Sequence, residues 1–441
     1  MATRAVAVAY SGGRDSSALL HASLQAAQAL STQGEPLQIH ALHVHHGLSE
    51  RADAWLAHCR NECEAYAHAG LPIRFHAEQL QSAPLTGHSI EAWAREQRYA
   101  ALARMAQGAG VDLVLLAHHR RDQAETWLLQ ALRGAGVAGL AAMPEQQWRD
   151  GICWARPWLA HPRESIEAYV REHGLAHIED DSNLDPRFAR NRLRLQVMPA
   201  LQQAFDGAER QMATAATWAQ QARALEVEIA DEDLARLAGA AGLDVQAWQM
   251  LSQARASNAL RAWLAVQSGR PAPASLVRRL MAELPQVRAG RWPLAHGELR
   301  LYRGRLSFAE AVHDRAQAAV APATETIDIS APGRYAWPQW RGELLVTEVA
   351  QGGIALDRLR QVCLRARSGG EQFQQSVHGM PRSLKKAFQS TGVAAWDRDG
   401  PLLFASGGEL LFIPGLGLDA RQIAQESVPQ AILAWQRSMS T

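Results

Sequence analysis

Residues 11–17 read Ser-Gly-Gly-Arg-Asp-Ser-Ser and follow the apolar run Ala-Val-Ala-Val-Ala-Tyr at 5–10. Glycines at 12 and 13 permit a tight turn and a close backbone approach, and Asp15, Ser16 and Ser17 suit the opening of a helix. The first N–H groups of such a helix, together with its dipole, hold an anion without help from a lysine. An ordinary turn with a serine cap would use the same residue types. Asp15 separates the two readings. A carboxylate inside an anion-binding turn makes sense when a divalent cation bridges it to phosphates, and magnesium takes one or two carboxylates plus substrate oxygens. Of the 45 basic residues only Lys385 and Lys386 are lysines, so a lysine-bearing GxxxxGK[ST] phosphate loop is excluded throughout.

Such a turn has to sit at the end of a buried strand. Over the first 160 residues, apolar runs at 5–10, 37–44, 71–78, 111–119 and 152–159 alternate with segments of helical periodicity such as 89–108. That alternation predicts an α/β fold, a Rossmann-like parallel sheet covered on both faces, with ligands at the carboxyl ends of the strands. From 205 to 315 the pattern turns to Ala- and Leu-rich helices and closes on a strand-like run at 297–308. A Pro/Thr/Ser/Gly junction at 321–333 then precedes short strands around one basic helix. A chain of 441 residues exceeds one ordinary core. The expected division is an α/β domain at 1–204, a mainly helical domain at 205–320 and a small α+β domain at 321–441.

Residues 11–16 resemble the SGGxDS motif of the PP-loop ATP pyrophosphatases, which implies cleavage of ATP between its α and β phosphates to give an adenylated substrate and pyrophosphate. The segments at 43–49, 91–102, 116–143 and 179–201, and those at 364–374, 384–389 and 396–404, resemble in order the motifs of the long form of the tRNA(Ile)-lysidine synthetases. The resemblance implies ATP-dependent adenylation of O2 of the wobble cytidine in tRNA(Ile) with the CAU anticodon. Free L-lysine would then displace AMP through its ε-amine. By the same resemblance 1–204 is the PP-loop catalytic domain, 205–320 binds substrate and 321–441 binds tRNA.

Attack by a poor nucleophile on the α-phosphate asks mainly for positioning and charge neutralisation. Ser11, Gly12, Gly13, Arg14, Asp15 and Ser16 are therefore expected to cradle the leaving pyrophosphate, Asp15 to contact Mg2+, and His43 and His45 to line the ATP site. Lysine's ammonium must be held and must then lose a proton. His118, His119, Asp122 and Glu125 are the matching candidates, and Asp15, His119 and Asp122 form the expected catalytic set. Acids at 122 and 125 would equally suit a first helical turn. Where the family pattern reads Asp-Asp-Gln this chain has Arg121, Asp122 and Gln123. Arg98, Arg187, Arg190, Arg192, Arg194, Lys385 and Lys386 are expected to meet the tRNA. Tyr99 would stack on a base or join the core.

Histidines at 40, 43, 45 and 46 invite a zinc reading, but alternation along a strand sends their side chains apart. The four cysteines form no CxxC pair, which speaks against a cluster-bearing cytidine thiolase of the same superfamily, and Cys59 and Cys63 read as inert thiols. An amide-forming synthetase would lack the tRNA-type segments, and a tRNA-binding protein with a decayed ATP site would not keep 11–16 intact. Net charge is +1, which leaves nucleic-acid binding to local patches. No apolar run reaches membrane length, and 1–13 reads as a strand rather than a signal peptide, so a cytoplasmic location without a membrane partner is expected. A second copy of the chain is a further candidate partner.

Overall fold

A computed structural model describes residues 4–47, 51–80, 90–179, 187–310, 325–340, 342–398, 400–425 and 428–437. Positions 48–49, 89, 180–186, 311–324 and 399 of the segments quoted above lie outside them. Two compact units emerge, Met1–Glu228 and Ile229–Thr441. None of the described helices is long and apolar enough to cross a membrane.

The first unit is built on β1 (Arg4–Ala9), β2 (Leu37–His45), β3 (Ile73–Gln79), β4 (Leu113–Leu115), β5 (Gln146–Arg149) and β6 (Ile152–Ala155). They lie in the order β3-β2-β1-β4-β6-β5, all parallel except β5, which runs antiparallel to β6. Register sets Val8 beside both Ala41 and Leu115. The period of two serves both faces, because both are covered. Val8, Ile39 and Ala41 share one core with Leu20 and Leu24, while Ala7 and Leu42 share another with Leu102, Val114 and Trp154. β5 escaped the periodicity reading because its four residues are exposed. The covering helices are α1 (Arg14–Thr32), α2 (Ala52–His68), α3 (Ile90–Gly108), α4 (Arg120–Leu132), α5 (Val137–Leu140) and α6 (Arg163–Glu172). They are followed by α7 (Ala189–Arg192), a π turn at Leu193–Val197, α8 (Met198–Ala204) and α9 (Ala208–Leu237).

Strand order reverses between β1 and β4, so the segments leaving their carboxyl ends, 10–13 and 116–119, face one another across a crevice. The run expected as a strand at 111–119 is a strand only at Leu113–Leu115, and its remainder forms the turn that carries the two histidines. Gly12 is required twice over. Its φ is +80°, and a Cβ there would fall 2.5 Å from Ile178 Cδ1 and 2.7 Å from Cys59 Sγ. Its carbonyl accepts the Ile178 N–H at 2.8 Å.

In the second unit α10 (Val245–Gln249), α11 (Gln253–Ser268) and α12 (Ala274–Glu283) share a core of Trp248, Leu260, Trp263, Leu280, Trp292 and Leu299 with a five-stranded sheet. The strand-like run at 297–308 supplies its central hairpin, Gly297–Tyr302 and Arg305–Glu310. The remainder forms a five-stranded and a four-stranded antiparallel sheet over Leu344, Val346, Val362, Leu403 and Leu411, and a separate two-stranded sheet. It also carries the basic helix α13 (Leu384–Thr391), which Gly392 ends at φ +82°.

Candidate active site

α1 begins at Arg14 with Gly13 as its N-cap and no side chain capping its first turn. Ser16 Oγ donates to the Gly13 carbonyl at 2.8 Å and lies 3.0 Å from Ser11 Oγ, tying the turn to the helix. The backbone N–H groups and the positive end of α1 are thereby presented at the crevice.

Asp15 leans across it. Its Oδ2 is 3.6 Å from His119 Nε2, and its Oδ1 is 3.5 Å from Arg14 Nε, buried and without a hydrogen-bond partner. Burial alone would raise the carboxyl pKa, but the contact with His119 and the charges of Arg14 and Arg163 outweigh it and hold Asp15 below the usual range. His119 is 2% exposed and its Nδ1 is 3.4 Å from Asp122 Oδ2. The same Asp122 oxygen accepts the His119 backbone N–H at 3.1 Å, so Asp122 caps α4 while facing the imidazole. Burial acts to raise Asp122 too, but His119, His118 and Arg190 keep it below the usual value. Burial, aided by Arg156, Arg190 and Arg95 against the pull of Asp122, depresses His118 to about 4.

Glu125 is fully buried, and Arg194 closes on both of its oxygens at 2.8 and 2.9 Å. Arg190 Nε adds a contact at 3.3 Å while its Nη2 donates to Thr126 at 2.6 Å. These three residues, expected to hold lysine and tRNA, pair with one another in this structure, and the π turn sets Arg194 in place for it. Arg121 does not enter the crevice as an acid would. Its Nε meets Glu209 at 3.0 Å and its Nη2 meets Glu164 at 2.6 Å, while Arg120 takes the other Glu209 oxygen at 3.0 Å. The arginine bolts the start of α4 to the starts of α6 and α9. Glu209 carried no sequence signal, since nothing in spacing links residues so far apart in the chain.

Alternation sets His40 on one face of β2 and His43 and His45 on the other, where the last two take different partners. His43 Nδ1 donates to the Tyr10 carbonyl at 3.0 Å and His45 Nε2 pairs with Asp53 at 3.1 Å, both rings being buried. His40 pairs with His76, and His46 accepts from Arg98 Nε at 3.2 Å. Burial and then Arg98 depress His46 to about 4. Tyr99 packs edge-on against Trp154 at 4.9 Å. Arg187 and Arg192 are exposed, as are Lys385 and Lys386, whose helix buries Leu384, Ala387 and Phe388 instead. Cys59 and Cys63 are buried, and burial pushes both thiols up to about 12.

Among the described residues no group of three His, Cys, Asp or Glu side chains could hold a metal. Asp15, with one buried and unpartnered oxygen, suits a cation that draws its other ligands from phosphate oxygens and water. An open hollow of about 600 Å³ lies instead at the amino-terminal edge of the sheet, lined by Arg4, Leu37, Gln107 and Asp112 among others. It gathers no convergent catalytic groups, so the site follows the carboxyl ends of the strands rather than this hollow.

Residues 1–201 match the PP-loop domain family, 243–307 the TilS substrate binding domain and 362–435 the TilS substrate C-terminal domain. The chain is 41% identical to a tRNA(Ile)-lysidine synthase of Ralstonia nicotianae over 96% of its own length and 91% of that protein. It is 38% identical to one of Burkholderia mallei over 94% and 89%. A solved structure, the U34-tRNA thiolase NcsA of Methanococcus maripaludis with its [4Fe-4S] cluster, aligns at 14% identity and a TM-score of 0.40 over 48% of this chain and 70% of that one.

Proposed function

We infer, for a chain that belongs to the tRNA(Ile)-lysidine synthase family, how its own residues divide the two half-reactions of an ATP-dependent ligase. The observation that carries the assignment is the meeting of Asp15 and His119 across the strand-order reversal. In the first step O2 of the wobble cytidine of tRNA(Ile) attacks the α-phosphorus of ATP, and the bond to the β-phosphate oxygen breaks. The turn at 11–16, the first N–H groups of α1 and Arg14 bind the departing pyrophosphate. Mg2+, held by Asp15, would neutralise phosphate charge.

In the second step the ε-ammonium of L-lysine gives a proton to His119, and the freed amine attacks C2 of the adenylated ring. The new C–N bond forms as the C–O bond to AMP breaks. His118 is poorly suited as acceptor, because a base depressed to about 4 holds a proton too weakly at neutral pH. Asp122 orients His119 from the Nδ1 side, and Asp15 stabilises the imidazolium from the Nε2 side. Glu125 serves these roles only by fixing Arg190 and Arg194. His43 and His45 brace the end of β2 near the nucleotide.

We assign 1–204 to catalysis, 205–320 to substrate binding and 321–441 to tRNA gripping, with Lys385 and Lys386 on phosphates and Arg98 near the cytidine. A second copy of the chain is included as a candidate partner, and the cytoplasm as the location. Purified protein given ATP, Mg2+, labelled lysine and CAU-anticodon tRNA(Ile) should transfer label to the tRNA and release AMP. The Asp15→Ala variant should not. Wild-type protein that transfers no lysine would refute the assignment.

A further inference from the structure

Two guanidinium groups converge on a single oxygen beside the phosphate turn. Arg14 Nη1 and Arg163 Nε each lie 3.0 Å from Oε1 of Glu167. Arg163 and Glu167 are one turn apart on α6, an ordinary surface pairing. Arg14 is not ordinary, because it reaches the same oxygen from the start of α1. Arg14 Nε is buried without a hydrogen-bond partner, while Arg163 Nε is held by the Glu167 oxygen. Burial and the neighbouring Arg14 act against the charge of Arg163 more than Asp15 and Glu167 offset it, leaving it below the ordinary guanidinium pKa. Two arginines gathered on one carboxylate oxygen, next to Asp15 and the first turn of α1, match the chemistry of a polyphosphate. One carboxylate oxygen shared by two guanidiniums imitates one phosphate oxygen.

We propose that Glu167 is a placeholder anion: it holds Arg14 and Arg163 between turnovers, the β and γ phosphates of ATP draw both arginines from it, and it reclaims them as pyrophosphate leaves. Arg163 thereby becomes a further pyrophosphate-binding residue, and Glu167 a competitor that shortens the stay of the product. The inference rests on the reading of residues 11–16 as the ATP site.

The test uses the full-length enzyme, with ATP binding followed by titration calorimetry, pyrophosphate by product inhibition, and the KM for lysine as a control. Because partly exposed ion pairs are weak, Glu167→Gln should tighten ATP and pyrophosphate by about threefold while leaving the lysine KM unchanged. Arg163→Ala should weaken both by about tenfold. In the Arg163→Ala background the gain from Glu167→Gln should shrink, since half of what Glu167 restrains is gone. Glu167→Ala repeats the test should glutamine disturb α6. The proposal is overturned if both Glu167 variants, folded as judged by their melting curves, bind ATP and pyrophosphate no more tightly than wild type. Weaker ATP binding in Arg14→Ala and Arg163→Ala, with no effect at Glu167, would remove the placeholder and keep the ATP site. No effect on ATP from either arginine would remove the ATP-site reading as well.

Discussion

Asp15 and His119 meet across the gap between the ends of β1 and β4, Oδ2 to Nε2 at 3.6 Å, while Asp122 stands on the far side of the same ring. His119 is what keeps Asp15 ionised against its burial. In His119→Asn burial dominates and the Asp15 pKa rises, so the acid limb of lysidine formation against pH should move upward. The rate should also fall by about two orders of magnitude through loss of the proton acceptor. An unmoved acid limb would uncouple the two residues.

Glu125 offers a different measurement, because its charge is buried and fully used. Glu125→Gln keeps the volume and strands two guanidiniums, which should cost about 2–3 kcal/mol in urea unfolding, less than for a wholly buried pair because the arginines remain a quarter exposed. Wild-type stability in this variant would show that Arg190 and Arg194 find water instead.

Restoring the family's acid at 121 should not help this chain. Arg121→Asp sets a third carboxylate against Glu164 and Glu209 and removes the bolt from α4 to α6 and α9. A loss of about 1–2 kcal/mol is expected, seen as a melting temperature several degrees lower. Arg121→Lys should fall between the two, having one charge but no fork. If the aspartate variant melts like wild type, the bolt has no energetic weight.

Stability should also depend on pH in a defined window. His118 and His46 have folded pKa values near 4, below the unfolded value for histidine, so the native state binds fewer protons between the two. Stability is then fully present above about pH 6.5, falls as pH drops, and levels off below about 4. Asp15 and Asp122 act on the acid side of this range, since stability from depressed carboxylates is lost only below the ordinary carboxylate pKa. Denaturant midpoints at neutral and mildly acid pH check the prediction. His118→Gln should flatten the difference, and an equally steep dependence in that variant would contradict it.

On α13 the lysines face solvent while Leu384, Ala387 and Phe388 face the core. Lys385→Ala and Lys386→Ala should each lower the slope of log affinity for tRNA against log salt by roughly one, with the KM for ATP unchanged. A slope identical to wild type would place the phosphates elsewhere.

Much of the site was legible because it is local. Residues 11–17 announce the turn, and buried alternation at 5–10, 37–44 and 71–78 announces the strands that carry it. Asp122 was legible as a helix-opening residue, and the structure has it cap α4 while facing His119. What stayed hidden depends on contacts between distant segments. Spacing does not tell that Glu125 would be consumed by Arg190 and Arg194, or that Glu209 would answer Arg121. The middle sheet was hidden for another reason. Several of its strands are short and set among Ala- and Leu-rich helical patterns, so only the hairpin at 297–308 stood out.

Gly12 is walled in by Ile178 and Cys59, and Gly13 forms an isolated bridge with Ile178. One wall of the phosphate turn is thus made more than a hundred residues later in the chain. Closing so long a loop is entropically slow, and the turn has no fixed shape until it closes. A nascent chain that ends before Ile178 therefore has no finished cradle in which to hold or spend ATP. Competence to activate a substrate with ATP arrives only once the first unit is nearly complete.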